Sequence, residues 1–282
     1  VNERGGTVSG RRNFVAVGDS FTEGLDDWRP DGTTRGWADR VAERLGAGRP
    51  NFRYANLAVR GKLLDQIVDD QLPVATALRP DLVAFCAGGN DIIRIACDTD
   101  SLARRFDDAL ASITATGAEV VIFTGFDLGR MHPLIRRLRG RVACFNELMR
   151  ASAERHGSTV VDLWGMAPLA DPRSWGPDRL HLTPEGHRRV ALRVLETLGE
   201  PVDDDWRAPL PDTEPAPWRD RQWEDIRWMR DAVMPYVRGR CNGRRAGDGF
   251  LPKRPELLPL DGGPASGVTA RRARQEHPAA TL

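Results

Sequence analysis

The sequence predicts an α/β protein: a parallel sheet with helices packed on both faces. Three observations support this. Short apolar runs alternate with helical stripes over roughly the first 160 of the 282 residues. Several runs are continuously apolar rather than alternating, as strands buried on both faces require. Each ends on glycine, proline, an acid or an amide, and such strand–helix–strand units close by right-handed crossovers.

The first run, Phe14 to Val17, stops at Gly18-Asp19-Ser20-Phe21-Thr22-Glu23-Gly24. It reads as a buried strand delivering Ser20 to the sheet's carboxyl edge, where ligands bind in this fold class. Asp and Ser after a strand are equally ordinary turn and helix-capping residues, so this stretch alone leaves both readings open. Residues 36–45 form a helix, with Trp37, Val41 and Leu45 on one side. Phe52 to Val59 is strand-like and ends at Arg60-Gly61. The stripe Leu63, Leu64, Ile67, Val68, Leu72 is helical, and Pro73 bends or ends it.

Leu82 to Ala87 has the composition of a central strand and runs into Gly88-Gly89-Asn90-Asp91. Leu102, Phe106, Leu110 and Ile113 mark a helix over 99–116, followed by the strand 120–124. A helix over 141–156 and a strand over 159–163 complete the alternation. Residues 164–180 carry Trp164 and Trp175 with no sustained period, which predicts a structured loop. Thr183-Pro184 supplies an N-cap hydroxyl and a first-turn proline for a helix over 184–198.

Beyond it, 199–217 reads as a Pro- and Asp-rich linker and 218–238 as a helix. Trp218, Trp223 and Trp228 are costly to leave in water, which predicts docking on the preceding domain or on a second copy of the chain. The expected organisation is a domain over 13–198, a linker and Trp-rich docking helix over 199–240, and a mostly irregular or disordered tail over 241–282.

With 41 basic and 40 acidic residues, the chain has no general argument for binding nucleic acid. Lys62 and Lys253 are its only lysines, an arginine bias typical of GC-rich bacterial genomes. Four scattered cysteines form no C-x-x-C pair, and Cys86 and Cys144 are expected in the core. No signal-like or membrane-spanning apolar segment is visible, so the expectation is a cytoplasmic protein.

Four loop ends carry the chemistry. A serine hydroxyl needs a base, and of the five histidines His181 is best placed, just before the last helix. Asp178, three residues earlier, can turn back to the second ring nitrogen and fix its tautomer. His187 is a weaker candidate, expected to pack or face solvent. The Ser20 and Gly61 backbone N–H groups and the Asn90 amide could supply three donors to a developing oxyanion. Gly61 also fits a plain strand-to-helix turn, and Gly88 to Asp91 a turn and cap.

These segments together resemble the SGNH hydrolases, also called GDSL-type esterases or lipases. Gly18 to Gly24 matches their first signature, Asn56-Leu57-Ala58-Val59-Arg60-Gly61 the second, Gly88 to Asp91 the third and Asp178-Arg179-Leu180-His181 the last. The resemblance covers about residues 13–198. It implies a flavodoxin-like three-layer α/β/α sandwich with five parallel strands in the order 2-1-3-4-5.

It further implies Ser20 as nucleophile, His181 as base, Asp178 as its orienting acid, and an oxyanion hole of Ser20, Gly61 and Asn90, with no metal or organic cofactor. Arg60, where a small residue is usual, is expected to make the pocket more cationic or narrower. Trp175 is a second expected substrate contact. The expected reaction is hydrolysis of short- or medium-chain acyl or acetyl esters through an acyl-enzyme. Two other readings use the same chain: acyl transfer to a sugar or natural-product alcohol, and a non-catalytic binding module.

Overall fold

The computed structural model describes residues 10–130, 133–212, 223, 225–230, 247 and 249–260. In chain order the elements are β1 (Asn13–Val17), α1 (Ser20–Glu23), α2 (Gly36–Gly46), β2 (Arg53–Asn56), α3 (Leu64–Asp70), α4 (Leu72–Ala77), β3 (Leu82–Phe85), α5 (Gly89–Ile92), α6 (Thr99–Thr114), β4 (Glu119–Phe123), α7 (Pro133–Arg136), α8 (Arg139–His156), β5 (Thr159–Val161), α9 (Pro184–Thr197) and β6 (Arg254–Pro259).

The continuous apolar runs fold as their composition requires. Along β1, Phe14 and Ala16 point into one core layer with Trp37, Val41 and Leu45 of α2 and Val190, Val194 and Leu195 of α9. Val15 and Val17 point into the other, with Ile67 of α3, Phe106 and Leu110 of α6 and Phe145 and Met149 of α8. Strand side chains alternate in direction, so a strand covered on both faces needs apolar residues at every position. Pro73 does not simply end a helix. It occupies the first turn of α4, where its missing N–H is harmless, directly after α3.

The sheet runs β5-β4-β3-β1-β2-β6. β1 pairs in parallel with β2 and β3, β3 with β4, and β4 with β5. The five-stranded expectation is thus corrected to six, because β6 lies antiparallel along β2, with Tyr54 opposite Leu258. This strand comes from within 241–282, where no strand is expected from the sequence: Pro255 and Pro259 interrupt Arg254–Pro259 and mask its β pattern. Prolines are tolerated there because an edge strand leaves N–H groups unpaired.

The order of the strands reverses between β1 and β3, and the loops after β1, β2 and β3 meet at that crevice. Cys144 corrects another expectation: it is exposed on α8, whereas Cys86 is half-buried against the core. Among the described residues no helix is long and apolar enough to cross a membrane.

Candidate active site

Ser20 begins α1, one turn of helix at the end of β1. Gly18 just before it is required by close packing: a Cβ there would sit 2.6 Å from the Cys86 carbonyl oxygen and 2.6 Å from Thr22 Oγ1. Its backbone is fixed by buried Gln71, which accepts from Gly18 N–H at 2.8 Å and donates to Gly18 C=O at 2.9 Å. Asp19 is the helix cap, accepting from Phe21 N–H at 3.1 Å. Capping therefore belongs to Asp19, and the Ser20 hydroxyl is left for another partner.

That partner is His181, whose Nε2 lies 2.9 Å from Ser20 Oγ. Its Nδ1 lies 2.5 Å from Asp178 Oδ2. An ionised carboxylate only accepts, so Nδ1 carries the ring proton and Nε2 is free to accept the serine proton. Burial works to raise the Asp178 carboxyl, but the His181 ring and the His181 and Leu180 N–H groups outweigh it and hold the group below the usual carboxylate range. The loop is braced locally: Gly176 N–H donates to His181 C=O at 2.7 Å, and Thr183 caps α9. From farther along the chain, Trp228 is buried and its indole donates to Asp178 C=O at 2.7 Å.

Of the Trp-rich segment, Trp228 thus contacts the His181 loop, while Trp223 and Ile226 are exposed. Trp218 lies outside the described residues, as does Cys241.

On the opposite side of Ser20 stands the loop 60–63. Arg60 N–H donates to Glu23 Oε2 at 2.7 Å, and its guanidinium pairs with the buried Glu23 carboxylate at 2.5 Å. The expected cationic wall is corrected by this pairing, since Glu23 at the end of α1 neutralises Arg60. Gly61 has φ of 71°, the left-handed region that favours glycine. Asn90 Nδ2 donates to Asp19 Oδ2 at 3.0 Å and to Lys62 C=O at 3.0 Å, so both amide hydrogens have partners. Asp91 accepts from Leu64 N–H at 2.9 Å and secures the far end of the same loop. Burial raises the Asp19 carboxyl to about 6, against the Phe21 N–H and nearby His181, which favour its charged form.

Trp175 is corrected from substrate contact to core. It is buried, its indole donates to Leu169 C=O at 2.7 Å, and it meets Phe126 edge-on. Phe126 in turn meets the ring of Phe21, next to Ser20, and forms one wall of a cavity of about 270 Å³ that Leu163, Trp164, Met166 and Leu169 also line. His187 packs rather than facing solvent: Nδ1 accepts from Trp37 N–H at 3.3 Å and Nε2 donates to Leu25 C=O at 3.0 Å. Burial lowers it to about 4, so it is neutral at physiological pH.

Sequence reasoning missed Asp26. It adopts a left-handed conformation with φ of 68°, and its carboxylate lies within 4.8 Å of the ligating atoms of Asp178 and His181. Burial first, then the Asp178 charge, raise it. These three are the one group among the described residues that could surround a cation. Both His181 nitrogens are engaged, with Asp178 and Ser20, so the arrangement suits proton transfer instead.

A serine, a correctly oriented imidazole and a half-buried acid at the carboxyl edge of a mostly parallel sheet define the class: a serine hydrolase on an α/β/α sandwich. Residues 16–189 match the GDSL-like Lipase/Acylhydrolase family, more than half of the chain, and the protein belongs to that family. It is an SGNH/GDSL-type ester hydrolase.

Its fold is similar to that of LAE5, an alpha/beta hydrolase enzyme from the metagenome of Lake Arreo, at 23% identity over 69% of this chain and 98% of that one, with TM-score 0.58. It is also similar to Axe2, an acetylxylan esterase from Geobacillus stearothermophilus, at 19% identity over 71% and 98%, TM-score 0.58. TesA aligns at 20% identity over 66% and 97%, TM-score 0.54. No match is found among the curated proteins.

Proposed function

We propose that Ser20 is the nucleophile of an esterase acting on short- or medium-chain acyl esters. The observation that carries this is the unbroken chain from Ser20 Oγ through the His181 ring to Asp178. His181 takes the Ser20 proton as Oγ attacks the ester carbonyl, then delivers it to the departing alcohol. Water deprotonated by the same nitrogen releases the acid and restores the hydroxyl.

The oxyanion is received by the Ser20 and Gly61 N–H groups and by Asn90. In the resting site Asn90 spans Asp19 and Lys62, so donation to the oxyanion replaces the Lys62 carbonyl as acceptor while Asp19 keeps the amide in place. The cavity beside Phe126 suits a small substrate group, since it lies below the range of pockets that hold drug-sized ligands.

In this reading the five parallel strands, in the order 2-1-3-4-5, are the hydrolase core within 13–198, and residues 199–282 form an extension that includes β6. The test is hydrolysis of 4-nitrophenyl esters from two to sixteen acyl carbons by wild type and Ser20→Ala. The expected result is a maximum at the short end and a loss of about 10⁴-fold or more in Ser20→Ala. Undiminished hydrolysis by Ser20→Ala would exclude it as the nucleophile.

A further inference from the structure

The family match ends at residue 189, yet Gly247 and the segment 249–260 reach back to the active-site loops. One of the chain's two lysines, Lys253, lies there with only 10% of its side chain exposed. Its ammonium donates to the carbonyl oxygens of Glu23 (2.5 Å), Thr34 (3.2 Å) and Arg35 (2.8 Å) and pairs with Asp39 Oδ2 at 2.5 Å. Glu23 ends α1, the helix that begins with Ser20, so the carbonyl end of the nucleophile helix is held by a cation.

The same segment touches the loop after β2. The Phe250 ring lies 4.7 Å beneath the Arg60 guanidinium, and Gly247 packs so closely that a Cβ there would fall 2.5 Å from the Arg60 carbonyl oxygen. Arg60 and Glu23 are bonded to each other, backbone to side chain and side chain to side chain. The contacts therefore converge on one bridge between the Ser20 helix and the Gly61 loop. β6, continuous with Lys253, anchors the segment by pairing with β2.

We infer that Gly247 and the segment 249–260 form a clamp that sets the spacing of the Ser20 and Gly61 backbone donors, with Lys253 as a positioning residue for the oxyanion hole. The inference rests on the active-site reading above. Lys253 contacts neither Ser20 nor Gly61 and acts through Glu23 and Arg60. Ammonium is suited to the task because its three hydrogens can be shared among carbonyls converging from different segments, and burial excludes competing water. A displacement of about 1 Å at an oxyanion donor is enough to cost about 100-fold in rate.

The test uses the full chain, with kcat and KM measured separately on 4-nitrophenyl acetate and the folded fraction measured by near-UV circular dichroism. Lys253→Ala is expected to lower kcat about 100-fold with KM within about threefold, and added propylammonium is expected to restore kcat at least about tenfold by refilling the ammonium site.

Phe250 is partly exposed, and Phe250→Ala is expected to lower kcat about fivefold without changing the unfolding midpoint. It decides the matter if Lys253→Ala does not fold. A kcat within about twofold of wild type, or a loss matched by the unfolded fraction, overturns the clamp alone. A wild type that hydrolyses no ester overturns the active-site reading and the clamp with it.

Discussion

The two sides of Ser20 are held in different ways. On the acid–base side, Asp178 accepts from Leu180 N–H, His181 N–H and the His181 ring, all within three residues. On the side proposed to hold the oxyanion, the loop 60–63 is held by Glu23, Asn90, Asp91, Gly247 and Phe250, drawn from three separate parts of the chain. A proton relay needs one imidazole correctly oriented, which a tight loop provides with a single distant brace, Trp228 on the Asp178 carbonyl. An oxyanion hole needs donors from different strands in register, which only the packed sheet can provide.

The largest test of that contrast lies on the local side. Asp178→Asn keeps the loop's shape but removes the acceptor that fixes the His181 tautomer, so kcat is expected to fall about 10³ to 10⁴-fold. The pre-steady-state rate of acylation checks it. On the distributed side, Asn90→Ala removes one donor and leaves Asp19 without its amide partner, and a loss of about 10² to 10³-fold in kcat is expected, with KM nearly unchanged. If Asn90→Ala were to cost more than Asp178→Asn, the oxyanion side would be the dominant one and the contrast would be reversed.

The smallest effect is on stability and concerns His187, which ties Trp37 to Leu25 just after α1. Its folded-state value of about 4 lies below the ordinary 6.5, so the unfolded chain takes up the proton first as pH falls. The stability it contributes is complete above 6.5 and is lost between 6.5 and about 4, up to about 3 kcal/mol.

Asp19, raised from 3.8 to about 6, works in the opposite sense: in that window the folded state holds more protons, and stability falls as pH rises. The two partly cancel in wild type. Urea unfolding of His187→Gln from pH 4 to 7 is expected to expose the Asp19 slope, with stability falling as pH rises relative to wild type.

Much of this was legible in the residues themselves. The apolar runs marked the five parallel strands because burial on both faces leaves few polar positions, such as Arg53 and Asn56 of β2, to confuse the pattern. Thr183-Pro184 marked the start of α9 because capping chemistry is local. Ser20, Gly61, Asn90, Asp178 and His181 could be picked out because each sits where a strand or loop ends. Asp26 could not, since nothing in its neighbourhood announces a left-handed turn beside His181.

The sequence by itself determined the elements, their alternation and the side chains available at the sheet's carboxyl edge, because periodicity and turn chemistry act over a few residues. Tertiary structure alone decided that Arg60 turns to Glu23, that Trp175 joins the core, that both Asn90 amide hydrogens have partners, and that Lys253 lies 230 positions from the carbonyl it holds. A buried charge selects its partner by shape and by exclusion of water, and both exist only after distant segments have packed.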